Sequence, residues 1–214
     1  MVVTQKYLQG FKNRTIHFTA TVCKVMVTGL IVLLIPQTVI AESSSENWGA
    51  FVAGGFSTLA IHELGHMAVA SYHDINFEYD GVTIVYPDAD LTDSEQLRIA
   101  SAGFQFQWIA SEIAFGVLSR DKQLTPRSKS FTRGIIAGQI AITVAYMTFL
   151  KNHPDGDIQG MSNASGLSND ELALLVAIPA ALDSWRLFAK NVPGWVPKLS
   201  IAYKGIGIAA IWTF

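Results

Sequence analysis

The chain has 214 residues, of which half are hydrophobic and only 15% charged, with one cysteine and a formal net charge of −2. A soluble domain usually carries about 25% charged residues, so this composition points toward a membrane protein. The 15 Lys and Arg residues form no aromatic-interleaved patch, which argues against nucleic-acid binding, and the lone Cys23 excludes an intrachain disulfide.

Lys6, Lys12, Arg14 and Lys24 precede the uncharged run "VMVTGLIVLLIPQTVIA", residues 25–41. No Lys or Arg follows until beyond Leu97, a stretch that fits adjacent membrane segments better than a solvated surface. The run reads as a cleaved signal peptide, with Val39-Ile40-Ala41 as the cleavage site, or as an uncleaved first transmembrane helix. Its long basic leader and internal Pro36 favour the helix, and the basic residues favour a cytoplasmic N-terminus. Four more apolar segments follow, at about 48–71, 99–118, 134–150 and 172–189, each near the roughly 20 residues that cross a bilayer as a helix.

Between the second and third segments, residues 76–86 ("NFEYDGVTIVY") alternate in part around Asp80-Gly81, which predicts a β-hairpin at the membrane surface. "NHPDGDIQGMSNASGLSND", residues 152–170, reads as a polar loop. The C-terminal "IAYKGIGIAAIWTF" reads as amphipathic or half-spanning. The expected organisation is an N-terminal segment 1–46, a core 47–190 and a tail 191–214. The expected fold is an all-α polytopic membrane protein of four to five transmembrane or re-entrant helices with a small membrane-associated hairpin.

The chemistry concentrates in "STLAIHELGHMAVASYH", residues 57–73. Helix positions four apart share a face, so His62 and His66 can grip one Zn²⁺ through their imidazoles. Glu63 then lies where it can take a proton from water and return it to a leaving amine. Gly65 leaves room for substrate or for a neighbouring helix. Two histidines and a glutamate within an apolar span are costly to bury without a role. A third protein ligand is required, and the candidates are Glu112 and Asp183 within later apolar segments, with His73 and His153 near segment ends or in loops. Glu112 could instead pair with Arg98 or Arg120, and Asp183 with Arg186.

The run "LAIHELGHMAVA" resembles the zinc helix of the site-2 protease family of intramembrane metalloproteases. "SAGFQFQ" is similar to that family's small-Gly-Pro-x-x-Asn pattern: Ala102 and Gly103 match, Phe104 replaces Pro and Gln107 replaces Asn. "AIPAALDSW" is similar to its Leu-Asp-Gly helix: Pro179, Leu182 and Asp183 match and Ser184 replaces Gly. The similarity covers roughly residues 50–190. It implies Asp183 as third ligand, Gln107 and Gly103 as substrate-binding positions, and a hairpin that holds the substrate extended. It also implies a parallel zinc helix and aspartate helix, which calls for a re-entrant segment 99–118.

The expected activity is therefore zinc-dependent intramembrane endopeptidase action on a transmembrane protein substrate, with the lipid bilayer as partner and the inner (plasma) membrane as location. A non-catalytic membrane protein that keeps the fold to bind or escort a partner is the alternative, motivated by the degenerate second and third motifs. A membrane-anchored zincin with its site in water fits less well, because the motif's flanks are apolar.

Overall fold

The structure is a computed structural model that describes residues 47–79, 84–87, 89–120 and 124–214. The apolar segment 25–41, with the choice between signal peptide and helix, lies outside the described residues, as does Asp80-Gly81. Six helices and one minimal strand pair are described. Helix α1 (Trp48–Tyr72) is followed by β1 (Glu78–Tyr79) and β2 (Ile84–Val85). Then come α2 (Asp93–Arg120), α3 (Pro126–Thr148), α4 (Asp157–Ser165), α5 (Asn169–Phe188) and α6 (Trp195–Thr213). The strands are antiparallel, with Glu78 opposite Val85 and Tyr79 opposite Ile84.

Local chemistry sets these boundaries. Asn47 caps α1 by accepting from the Ala50 amide, and Thr125 caps α3 ahead of Pro126 in its first turn. Ser168 and Glu171 form a reciprocal capping box at the start of α5. Gly166, at φ 72°, ends α4 in the left-handed conformation that glycine adopts without strain. Inside α5, Pro179 cannot donate to the Leu175 carbonyl one turn back, and the Tyr203 hydroxyl of α6 donates to that carbonyl instead, at 3.1 Å.

Helix α1 runs against α2 and α3. Its buried stripe includes Ala50, Gly54, Thr58, His62, Gly65, His66 and Val69, close to a four-residue repeat. The backbones approach closely along it: a Cβ on Gly54 would lie 2.1 Å from the Phe131 carbonyl oxygen, and one on Gly65 would lie 2.7 Å from that of Ala102. The neighbouring helix is thus what Gly65 makes room for. Helix α4 packs Ile158, Met161 and Ala164 into a core with Leu97, Phe104 and Trp108 of α2 and Leu172 and Val176 of α5.

No helix among the described residues is long and apolar enough to cross a membrane. This corrects the expected polytopic fold, its transmembrane and re-entrant segments among the described residues, the membrane placement of the hairpin and the inner-membrane location. The physical reason is what fills the helices. Helix α1 interrupts its apolar residues with four glycines, two histidines, Glu63, Ser57 and Thr58. Helix α2 carries Asp93, Glu95, Arg98 and Glu112 beside three glutamines, and α3 opens on Arg127, Lys129 and Arg133. A low charge fraction reflected alanine, glycine and hydroxyl residues as much as long aliphatic runs. The C-terminal segment is a full helix packed on α2 and α5, with Lys204 buried, rather than a half-spanning tail.

Candidate metal centre

The four-residue repeat of α1 carries His62 and His66 onto its buried face, where they are 3% and 6% exposed. Their partner comes from far along the chain. Asp157, the first residue of α4, places Oδ2 2.8 Å from His62 Nε2 and 3.4 Å from His66 Nε2. The helix N-terminus favours an ionised carboxylate at that position. His62, His66 and Asp157 form a possible metal-binding triad, each offering one ligand atom, all within 4.8 Å of one another.

The donor set fits a metal ion. Two imidazoles and a carboxylate are the ligands of many catalytic zinc sites, and bonds of about 2.0–2.2 Å in a tetrahedron put ligand atoms about 3.3 Å apart. The His66 separation already matches that edge, and the His62 separation needs about half an ångström of opening. The tautomer fits as well. His66 Nδ1–H donates to the Ile99 carbonyl at 2.7 Å, which turns Nε2 toward Asp157 and fixes the ring.

The electrostatics follow from burial and charge. Burial desolvates His66 and works to lower its pKa, but the Asp157 carboxylate, the hydrogen bonds it accepts and the charge of Glu63 outweigh this, raising it to about 9. Desolvation works to raise the pKa of Asp157, yet attraction to His66 and His62 holds it below the usual carboxylate range. Tyr146 of α3 completes the cluster. Its ring stacks on His62 with centroids 5.7 Å apart, and its hydroxyl lies 3.4 Å from His62 Nε2. Desolvation, then the Asp157 and Glu63 charges, raise the phenol well above its ordinary value, so it remains a donor.

Glu63, one residue round the helix from the buried stripe, is exposed and lines an open, apolar cleft of about 310 Å³ with Met67, Phe77 and Ile84. Its charge is felt at His66, Tyr86 and Tyr146, so the acid sits on the cleft side of the triad. Gly103 lies against the other side. A Cβ there would come within 2.3–2.5 Å of the His62 ring, so Gly103 is the surface on which that ligand rests.

The expected third ligand is elsewhere. Asp183 is fully buried and receives Lys204 Nζ at 2.6 Å, Arg186 at 3.2 Å and the Ser200 hydroxyl at 2.9 Å. Glu112 joins the same cluster through Arg186 and Lys204. Burial works to raise the Glu112 pKa, and those two hydrogen bonds outweigh it and lower it. Asp183 does pair with Arg186, three residues on, and Glu112 pairs with that arginine rather than with Arg98, while the Arg120 side chain lies outside what the structure describes. His73 faces Glu95 at 3.9 Å, and His153 accepts from the Asp155 amide, so neither belongs to the triad. Gln107 is fully buried on α2, one turn beyond Gly103.

The sequence reading passed over Asp157 and Tyr146. A signal existed for the first: Gly156 and Gly166 bracket a segment with Ile158, Met161 and Ala164 three apart, a short amphipathic helix with an acid at its start. No protein-family model, no curated protein and no solved structure matches this chain.

Proposed function

We propose that the chain is a zinc-dependent endopeptidase. The observation that carries this reading is the convergence of His62, His66 and Asp157 beside a cleft whose wall includes Glu63. The similarity of "LAIHELGHMAVA" to the zinc helix of site-2 proteases supports it. A two-histidine, one-carboxylate set also suits ferrous iron; the free carboxylate of Glu63 on the cleft wall favours hydrolysis.

When bound, zinc would polarise the scissile carbonyl and bring the pKa of a water to about 7. His62, His66 and Asp157 would hold the ion, with Gly103 and the Ile99 carbonyl keeping the two rings in place. Glu63 accepts the proton of the attacking water and delivers it to the leaving amine. Tyr146, kept protonated, can donate to the carbonyl oxygen as negative charge builds on it. Met67, Phe77 and Ile84 offer an apolar wall, so the preferred peptide carries a bulky apolar side chain next to the bond cut.

Glu63→Gln tests the proposal, because it keeps shape and removes the base. Zinc content should match wild type, while cleavage of a peptide library should fall by about 10²–10⁴-fold. Undiminished cleavage by this variant would remove Glu63 from the reaction, and no cleavage by the zinc-loaded wild type would refute catalysis and favour a partner-binding role.

A further inference from the structure

Three buried polar atoms beside the triad have no hydrogen-bond partner among the described residues: His62 Nδ1 and both amide atoms of Gln107, Oε1 and Nε2. A fully buried primary amide with neither end satisfied is costly, because both groups have given up their water. Such groups are retained where they serve a second state. The position of Gln107 names its counterpart. Helical side chains lean toward the preceding turn, so Gln107 covers the turn of Gly103. Gly103 is the residue against which the His62 ring rests.

We infer that Gln107 is a positioning residue whose amide holds the His62 ring through Nδ1. The inference rests on the metal-site reading above. A glutamine suits this task because its amide offers a donor and an acceptor at one place. His62 Nε2 faces the Asp157 carboxylate at 2.8 Å, and neither His62 Nδ1 nor the Gln107 amide has a hydrogen-bond partner among the described residues. With Nε2 committed to a metal, Nδ1–H would donate to Gln107 Oε1. His66 needs no such partner, since the Ile99 carbonyl serves it.

Gln107→Met keeps length and volume and removes both polar atoms. Zinc affinity, measured by chelator competition, should fall about 10–100-fold, the usual effect of losing a ligand's hydrogen-bond partner. Thermal stability without metal should hold or rise, because an unsatisfied amide has been replaced by an apolar group. Gln107→Glu keeps an acceptor for Nδ1–H and should retain wild-type zinc affinity. A glutamine that merely fills the core predicts the reverse: lower stability and unchanged affinity in Gln107→Met. Zinc affinity within twofold of wild type in Gln107→Met would overturn the inference. The premise fails separately: wild type binding zinc no better than His66→Ala would remove the metal site itself.

Discussion

Exchanging Asp157 and Asp183 in turn gives the sharpest test of the site. Asp157 lies within 2.8–3.4 Å of two imidazole nitrogens, whereas Asp183 lies within 2.6–3.2 Å of a lysine and an arginine. A four-ligand structural zinc site is worth about 10–16 kcal/mol, hence roughly 2.5–4 kcal/mol per ligand, or about 10²–10³ in affinity. Asp157→Asn keeps the volume of the side chain and should lose zinc by that factor. Asp183→Asn should keep zinc. It leaves Lys204 and Arg186 sharing Glu112 alone, and unpairing a buried charge destabilises by about 3–5 kcal/mol. In a chain of this size each kcal/mol moves Tm by about 2–4 °C, so a fall of roughly 6–20 °C is expected. Metal analysis and calorimetry on the same two preparations read both effects. Zinc lost from Asp183→Asn and retained by Asp157→Asn would refute the assignment of ligands.

Gly103→Ala pushes a methyl group into the His62 ring, so zinc affinity should drop with a loss of about 1–3 kcal/mol of stability, read by chelator competition and thermal melts. Tyr146→Phe removes a donor while leaving the ligands, so zinc content should stay at wild type while the peptide-cleavage rate falls about 10²–10³-fold; equal rates would remove Tyr146 from the reaction. Zinc must displace the proton that Asp157 helps hold on His66, so apparent affinity should rise about tenfold per pH unit from 7 to 9, and a flat profile would show that His66 is no ligand. In the metal-free protein the sign for stability is opposite. The His66 pKa is raised from 6.5 to about 9, so the pair's stabilisation is complete below 6.5 and fades as pH climbs through 9. Asp157, lowered from 3.8, loses its share only as pH falls below that value, so denaturant titrations should show the pair at full strength between about 4 and 6.5.

The first half of the site was legible in the sequence because it obeys local periodicity. His62 and His66 share a face through a four-residue spacing, and that face is the buried one because Gly54, Thr58, Gly65 and Val69 lie on it. Glu63 follows from the same geometry, turned one residue away toward the cleft. The second half was not legible, because the third ligand depends on which distant element closes over α1. Two acids in apolar surroundings were attractive candidates by burial. Burial, however, is equally well explained by cations buried with them, and Lys204 and Arg186 supply those. Asp157 was hidden in a stretch rich in Gly, Ser and Asn that reads as a loop, although α4 forms there on only three apolar side chains. Membrane spans were misread for a related reason: segment length and scarcity of charge were visible, while the number of glycines and hydroxyls needed for close helix contact counted against a crossing.

The geometry of the three residues suits the proposed metal centre. Three ligand groups of which two are basic and one acidic neutralise one another, so no charge is left buried alone. The Asp157 oxygen that both imidazoles approach lies 2.8 Å and 3.4 Å from their Nε2 atoms, within about half an ångström of a tetrahedral edge. Exchanging protons for a divalent ion then requires small displacements rather than refolding. Gly103 and the Ile99 carbonyl, both on α2, support the rings from behind throughout. Helices α1 and α2 hold the two histidines, and the packing of α4 on α2 places the acid. A change that loosens α4, such as Ile158→Ala in its buried face, should therefore weaken metal binding without touching any ligand. The same change at Val196 of α6, buried but remote from α4 in the chain, should lower stability and leave zinc affinity unchanged.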